Sequence, residues 1–278
     1  MNQVTSSQKA ANLAFQFFSL VVVFIILFPI VWLVRNSFIE SVRMYDKPPA
    51  LFFVPTFRAY IRAFSQQRLL VRTINSIIIS VTSTFIAVSL GSMAAYGITR
   101  FKVPFGKHLP FAFLFLRMLP GIVGLLPIFL MFSRLRLIDT YQGLIFIYSS
   151  GAVPSVIWLM WSYYKDMPQE IEESAYIDGS GYFLTFIRII VPITTPGIAS
   201  VSILAFTGAW NEFMTATILT RTRTTTLPPA VVSLMNQTEL AWDQVSAGGV
   251  VLSIPIIILC VFAQKYFVQG LTVGAVKG

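Results

Sequence analysis

The stretch Lys165–Phe183 reads KDMPQEIEESAYIDGSGYF, a polar segment bracketed by two long apolar runs. It holds Asp166, Glu170, Glu172, Glu173 and Asp178, five of the eleven acids in the chain. Pro168 stands where a first helical turn tolerates proline, because the missing N–H would be unpaired there anyway. Three glutamates follow at the start of the helix, where its dipole favours negative charge. Gly179 and Gly181 supply the stop. The spacing predicts a short capped helix of roughly ten residues lying outside the bilayer between two spans. Ile171, Ala175 and Ile177 give this rod some apolar surface. Such a rod is either an ordinary connector or a helix that seats in a partner's groove.

The runs around it decide the class. Of 278 residues, 56% are hydrophobic and only 11% are charged. Soluble domains carry about 25% charged residues, so there is too little polar surface to wet a soluble fold. A membrane helix needs about 20 mostly apolar residues. Six stretches qualify: 13–34, 74–96, 109–131, 141–163, 193–219 and 244–267. Backbone groups in lipid must be paired within their own segment, so these runs are helices. The alternation that marks a membrane barrel is absent. The expectation is an all-α polytopic membrane protein with six transmembrane helices and a short helix outside the bilayer between the fourth and fifth. Residues 1–12 form a short N-terminal segment, 13–267 the six-helix transmembrane domain with its loop at about 165–190, and 268–278 a C-terminal tail. The first run is too long for a signal-peptide core and no cleavage site follows it, so it reads as a retained helix.

Several chemistries find no support. The formal charge is +9, from 20 Lys and Arg against 11 Asp and Glu, but the bases are scattered and form no nucleic-acid patch. The single Cys260 builds no disulfide framework. One His and one Cys cannot make a metal cluster, and no nucleophile–base pair surrounds His108. Gly106-Lys107 is followed by His108 rather than Ser or Thr, and Phe101 occupies the upstream Gly position of a phosphate loop. Gly179-Ser180-Gly181 is followed by Leu184 where a dinucleotide fingerprint needs Gly or Ala. Any nucleotide energy must therefore come from a separate chain. Six spans place both termini on one side, but charge bias does not say which. Arg100, Lys102 and Lys107 crowd one loop, while Arg134, Arg136, Arg221, Arg223 and the long first loop weigh against them.

Charges at bilayer depth are costly and default to function. Arg117 lies in span three and Glu212 in span five, beside Trp210 and Asn211. The two charges either pair with each other or line a path. Trp210 offers a stacking face, and Asn211 offers both a donor and an acceptor, which suits a polyhydroxylated ligand. Asn75, Tyr148 and Ser149 are further polar candidates of the same kind.

One string carries a family resemblance. Glu173-Ser174-Ala175 is followed by Gly179 after three residues, then by Ile189 and Val191-Pro192. This resembles the EAA loop of ABC importer permeases, with Ser174 and Val191 as conservative departures. Ala94-Ala95-Tyr96 with Arg100-Phe101, Met118-Leu119-Pro120, Asp139-Thr140, Trp210-Asn211-Glu212-Phe213, Gly270-Leu271-Thr272 and Gly274 to Gly278 extend it in order. Together they are similar to the carbohydrate-uptake permeases related to the smaller membrane subunit of the maltose importer.

The resemblance implies a heteromeric importer in a bacterial inner membrane, with both termini cytoplasmic. Its partners are a second permease, two ATPase subunits that hold ATP and Mg, and an extracytoplasmic solute-binding protein. The short helix between the fourth and fifth spans is then a cytoplasmic coupling helix, with Glu170, Glu172, Glu173, Ser174, Ala175, Ile177, Asp178 and Gly179 as its ATPase-coupling segment. Arg117, Trp210, Asn211, Glu212, Asn75 and Tyr148 are the candidates for the saccharide path. With this topology the outer loops are basic, which favours an anionic saccharide such as a uronate oligomer or a sugar phosphate. A stand-alone secondary transporter or channel is the alternative. It predicts inverted repeats and midplane acids, of which only Glu212 would serve.

Overall fold

The computed structural model describes residues 6–48, 52–65, 67–118, 120–236 and 241–275. The ends of the expected segments 1–12 and 268–278, together with Leu119, lie outside the described residues. The described residues are helical, with no strand among them. The chain divides into two compact units, Met1–Leu69 with Val231–Ser253 and Leu70–Ala230 with Ile254–Gly278.

In the first unit, α1 (Ser6–Ser37) is a long helix whose apolar side chains are exposed on every side. A helix that is apolar all round belongs in a nonpolar surround, here lipid or neighbouring spans. The chain then turns through Ser41–Tyr45 into the short helix α2 (Arg58–Ser65). This segment folds back on the end of α1. The Thr56 amide donates to the Phe38 carbonyl at 2.8 Å, and the Ser37 and Tyr60 hydroxyls lie 2.8 Å apart. The Phe38 and Phe57 rings meet edge to face at 5.3 Å. In α13 (Trp242–Ala275), a Cβ on Gly248 would stand 2.7 Å from Val231, so only glycine permits that approach.

The second unit is built on α3 (Leu69–Arg100) and α6 (Tyr141–Lys165). Ala87, Val88, Ala95 and Tyr96 of α3 pack on Val156, Ile157, Met160 and Tyr164 of α6. The two helices come so close that a Cβ on Gly91 would meet Val156 at 2.5 Å, the small-residue packing expected where lipid is as apolar as the core. Between them in sequence lie α4 (Leu109–Arg117) and α5 (Gly121–Arg134). After α6 come α7 (Glu170–Ile177), α8 (Tyr182–Thr185), a π-helical turn at Phe186–Ile190, α9 (Val191–Ile193), α10 (Thr195–Trp210) and α11 (Met214–Leu219). The loop that follows leads into α12 (Leu227–Ser233), which starts in this unit.

Among the described residues four helices are singly long and apolar enough to cross a membrane, and the number rises to as many as six if each of two bent helix pairs is one span. The third and fifth expected spans are therefore not straight rods. Pro120 and Gly121 stand at the start of α5, and Pro196 starts α10, each where a proline has no N–H to give the preceding turn. The helix from Tyr182 to Ile193 meets α10 at 82°. A second interruption at residues 211–213 separates α10 from α11. Pro29, Pro127, Pro154 and Pro255, by contrast, sit inside helices.

Candidate functional site

The acidic rod is α7, eight residues from Glu170 to Ile177. Its stop is legible atom by atom. Gly179 adopts φ 84°, a left-handed conformation that side chains resist. The Ser180 amide then reaches the Ala175 carbonyl at 2.9 Å, and the Gly179 amide reaches the Tyr176 carbonyl at 3.1 Å. These are the two bonds of a Schellman motif, and they satisfy carbonyls that the helix end would otherwise orphan.

The rod has two faces. Glu170, Glu173, Ser174, Ile177, Asp178 and Gly179 are exposed, and Ile177 is 87% exposed. Ala175 is buried, and Glu172 is only 3% exposed. Glu172 is thus turned inward, away from any surface on which a partner would sit. Its Oε1 accepts from Arg100 Nε at 2.6 Å, and its Oε2 accepts from the Tyr96 hydroxyl at 2.8 Å. Arg100 also donates to the Met167 carbonyl at 3.2 Å. Tyr96 and Arg100 stand on the last turns of α3. Both charges of the pair are desolvated, which is costly unless hydrogen bonds offset it; here Glu172 accepts from Arg100, Tyr96 and Tyr176, and Arg100 donates to Glu172 and Met167. The rod is consequently anchored to the end of α3 and not hung on a loose loop.

At the level of the spans, a cavity of about 910 Å³ opens in the second unit. Arg117, Glu212 and Tyr148 all line it. The structure does not pair the two charges. Arg117 donates to the Ser155 hydroxyl, and Glu212 Oε1 accepts from the Thr215 amide at 2.7 Å, holding the first turn of α11. The Tyr148 hydroxyl is buried and has no hydrogen-bond partner among the described residues. A buried donor left unmet in a cavity wall calls for a ligand or water.

The remaining candidates sit elsewhere. Trp210 is buried and stacked on Phe206 at 5.8 Å, so the face it was expected to offer is occupied. Trp158, which the sequence did not single out, lines the cavity instead. Asn211 is exposed at the end of α10 and does not line the cavity. Ser149 is buried and bonds back to the Phe146 carbonyl.

Asn75 is committed to the fold. It donates to the Arg223 and Thr225 carbonyls, both at 3.0 Å, and accepts from the Tyr141 hydroxyl at 2.6 Å. The same loop is gripped by Asp139. Its carboxylate accepts the backbone N–H groups of Arg221, Thr222, Arg223 and Thr224 at 3.0–3.2 Å. Burial pushes this carboxyl upward, but the four N–H donors outweigh it and hold it well below the usual carboxylate range. Arg72 and Ser76, also on α3, donate to and accept from the loop at Thr222 and Leu227. α3 therefore holds the rod at one end and this loop at the other, about 40 Å apart at 1.5 Å per residue.

Tyr96, Arg100 and Asp139 had entered the sequence reading only within short strings or as loop charges, with no structural role attached. A basic residue at a span end one turn after a tyrosine is the signal that was available for the first two.

Residues 87–273 match the family model described as binding-protein-dependent transport system inner membrane component. The chain is 34% identical over 258 residues to the trehalose/maltose transport system permease protein MalG of Thermococcus litoralis, covering 91% of this chain and 92% of that one. It is 38% identical over 208 residues to the trehalose transport system permease protein SugB of Mycobacterium tuberculosis, covering 74% and 76%. In fold it is similar to a chain from a bacterial ABC transporter involved in the import of the acidic polysaccharide alginate, with TM-score 0.77, 20% identity, and 96% and 100% of the two chains covered. The chain belongs to the inner-membrane components of binding-protein-dependent transport systems, as a multi-pass permease.

Proposed function

We propose that this chain is one of two permease subunits of an ATP-driven saccharide importer, and that α7 is the part an ATPase subunit grips. The observation that carries this reading is the two-sided rod. Its exposed side presents Glu170, Glu173, Ile177 and Asp178, while its buried side is locked to α3 through Glu172 and Arg100. An exposed isoleucine among unpaired acids suits a complementary cleft with a basic rim. When two ATPase subunits, holding ATP and Mg, close on each other, the docked rod moves with them. The buried ion pair and the Tyr96 hydroxyl pass that displacement to α3, which bears on the loop at 220–227 by its far end. Both termini lie on the ATPase side, and a solute-binding protein delivers sugar from the other. The names of the trehalose and maltose relatives support a saccharide.

The cavity supplies the finer reading. Arg117, the unpartnered Tyr148 hydroxyl and the Trp158 ring suit a sugar ring carrying a carboxylate, with Glu212 engaged in holding α11. The alginate transporter's likeness in fold is consistent with an anionic saccharide. Uptake of matched neutral and uronate oligomers in cells carrying the complete importer tests this. Preferred uptake of the uronate supports an anionic substrate, and equal uptake of both removes it.

A further inference from the structure

A second cavity, also about 910 Å³, lies where α3 and α6 end, among residues that neither the coupling rod nor the saccharide path uses. Lys102, Lys107, His108 and Lys165 line it, and none of its lining residues is acidic. Among the described residues Lys102 and Lys107 have no acidic partner, so their charge is uncompensated. The N-terminus of α4 opens beside them, with no acid in its first turn and no side-chain cap from His108. That end of the helix adds further positive potential. Phe105, at the turn of the loop, is held at φ 57°, a conformation uncommon for a bulky residue and met at functional sites. The Lys165 ammonium lies 5.1 Å from the centre of the Trp161 ring, which in turn meets Phe111 edge to face at 5.8 Å. From this pocket an exposed apolar strip runs along α4 through Phe111 and Phe115.

The geometry points to a binding site for one anionic phospholipid, its phosphate held by Lys102 and Lys107 and its acyl chains laid along α4. The pocket sits at the ends of two spans, the depth at which a headgroup lies, and basic pockets between spans at that level hold anionic headgroups. Aromatic rings at this level suit the boundary between headgroup and hydrocarbon. Charge complementarity and continuity with the apolar strip select a lipid over a soluble phosphate.

Native mass spectrometry of the full-length chain, titrated with phosphatidylglycerol or phosphatidylcholine in mixed micelles, tests this. The wild-type chain is expected to retain one phosphatidylglycerol in preference to phosphatidylcholine. Lys102→Gln with Lys107→Gln is expected to weaken that binding about 10- to 30-fold, on the order of 1 kcal/mol for each lysine. Lys102→Arg with Lys107→Arg is expected to keep it. Equal retention of the two lipids by the wild-type chain would overturn the proposal, and so would undiminished binding by the glutamine variant. Full displacement by glycerol 3-phosphate would also overturn it, by assigning the site to a free phosphate. If the glutamine variant does not fold, the wild-type chain alone still decides: the preference for phosphatidylglycerol must fall as salt is raised from 50 to roughly 500 mM, and salt-independent binding would overturn it.

Discussion

Arg100 Nε and Glu172 Oε1 lie 2.6 Å apart, joining the last residue of a membrane span to the middle of a surface helix 72 residues later in the chain. Their side chains are 7% and 4% exposed. A pair this dry is sensitive to losing one member, because the survivor remains charged and buried. Arg100→Met and Glu172→Met are each expected to cost about 3–5 kcal/mol. Replacing both by Met is expected to restore most of that, since a buried pair exchanged for apolar groups of similar size is close to neutral. Thermal unfolding of the detergent-solubilised variants checks this as a double-mutant cycle, and purely additive losses would contradict it.

Gly179 gives a separate handle on the rod. Nothing lies within 4 Å of a Cβ built there, so a side chain has room, but φ is 84°. Gly179→Val therefore costs through backbone conformation alone, about 1–2 kcal/mol, and shifts the end of α7. Membrane levels of the variant are expected to stay near normal while ATP-dependent uptake fails. Gly179→Asn, which tolerates the left-handed region, is expected to fall in between. Normal uptake by the valine variant would contradict a coupling role.

Glu173 is exposed on α7 and bonds to no basic side chain among the described residues. Glu173→Lys reverses a charge on the proposed docking face without disturbing the core. Less ATPase is expected to copurify with the variant, and more so at low salt, where like-charge repulsion is least screened. Undiminished recovery would place the contact elsewhere.

Tyr148 tests the cavity. Its hydroxyl has no partner among the described residues, so Tyr148→Phe removes an unmet buried group. Stability is expected to be unchanged or slightly raised. If the hydroxyl meets the saccharide, the half-saturating concentration for uptake rises several-fold. An unaltered uptake curve would show that the sugar passes without touching it.

Asp139 carries the pH dependence. Its carboxyl is depressed by four backbone N–H groups, so the folded chain favours the ionised form. The stabilisation is present above the unfolded value of about 4 and is lost as pH falls below it. Asp139→Asn is expected to loosen the loop at 221–224 at neutral pH, and the difference from wild type is expected to shrink toward pH 3. Hydrogen exchange of those amides measures both. A difference that stays constant with pH would contradict the clamp.

What the sequence revealed followed from signals that are local. Long apolar runs name spans, and a proline, three acids and Gly179 in a row name a capped rod, because each of these works within one or two turns. The breaks in the third and fifth spans were hidden, since apolar content is the same on both sides of Pro120 or Thr194 while the change lies in backbone hydrogen bonds. Glu170, Glu172 and Glu173 are alike in composition, yet Glu172 alone points inward because Arg100 and Tyr96, distant in the chain, wait there. Trp210 and Asn75 were judged by what their side chains can do. Phe206 and the loop at 223–225 had already claimed them. The cavity that gathers Arg117, Tyr148 and Glu212 draws on α4, α6 and the end of α10, and no local pattern foretells such a convergence.

The central claim is that the exposed face of α7 is held by an ATPase subunit, and a cross-link at Ile177 tests it most directly. In a chain carrying Ile177→Cys and Cys260→Ser, coexpressed with its ATPase and its second permease, a short reagent with a maleimide at one end and a photoactivatable group at the other is applied to inside-out vesicles and illuminated. The account predicts a covalent adduct between this chain and the ATPase, with its yield changing when ATP is added. Labelling of that cysteine by a membrane-impermeant maleimide from outside intact cells, with no adduct to the ATPase, would contradict it.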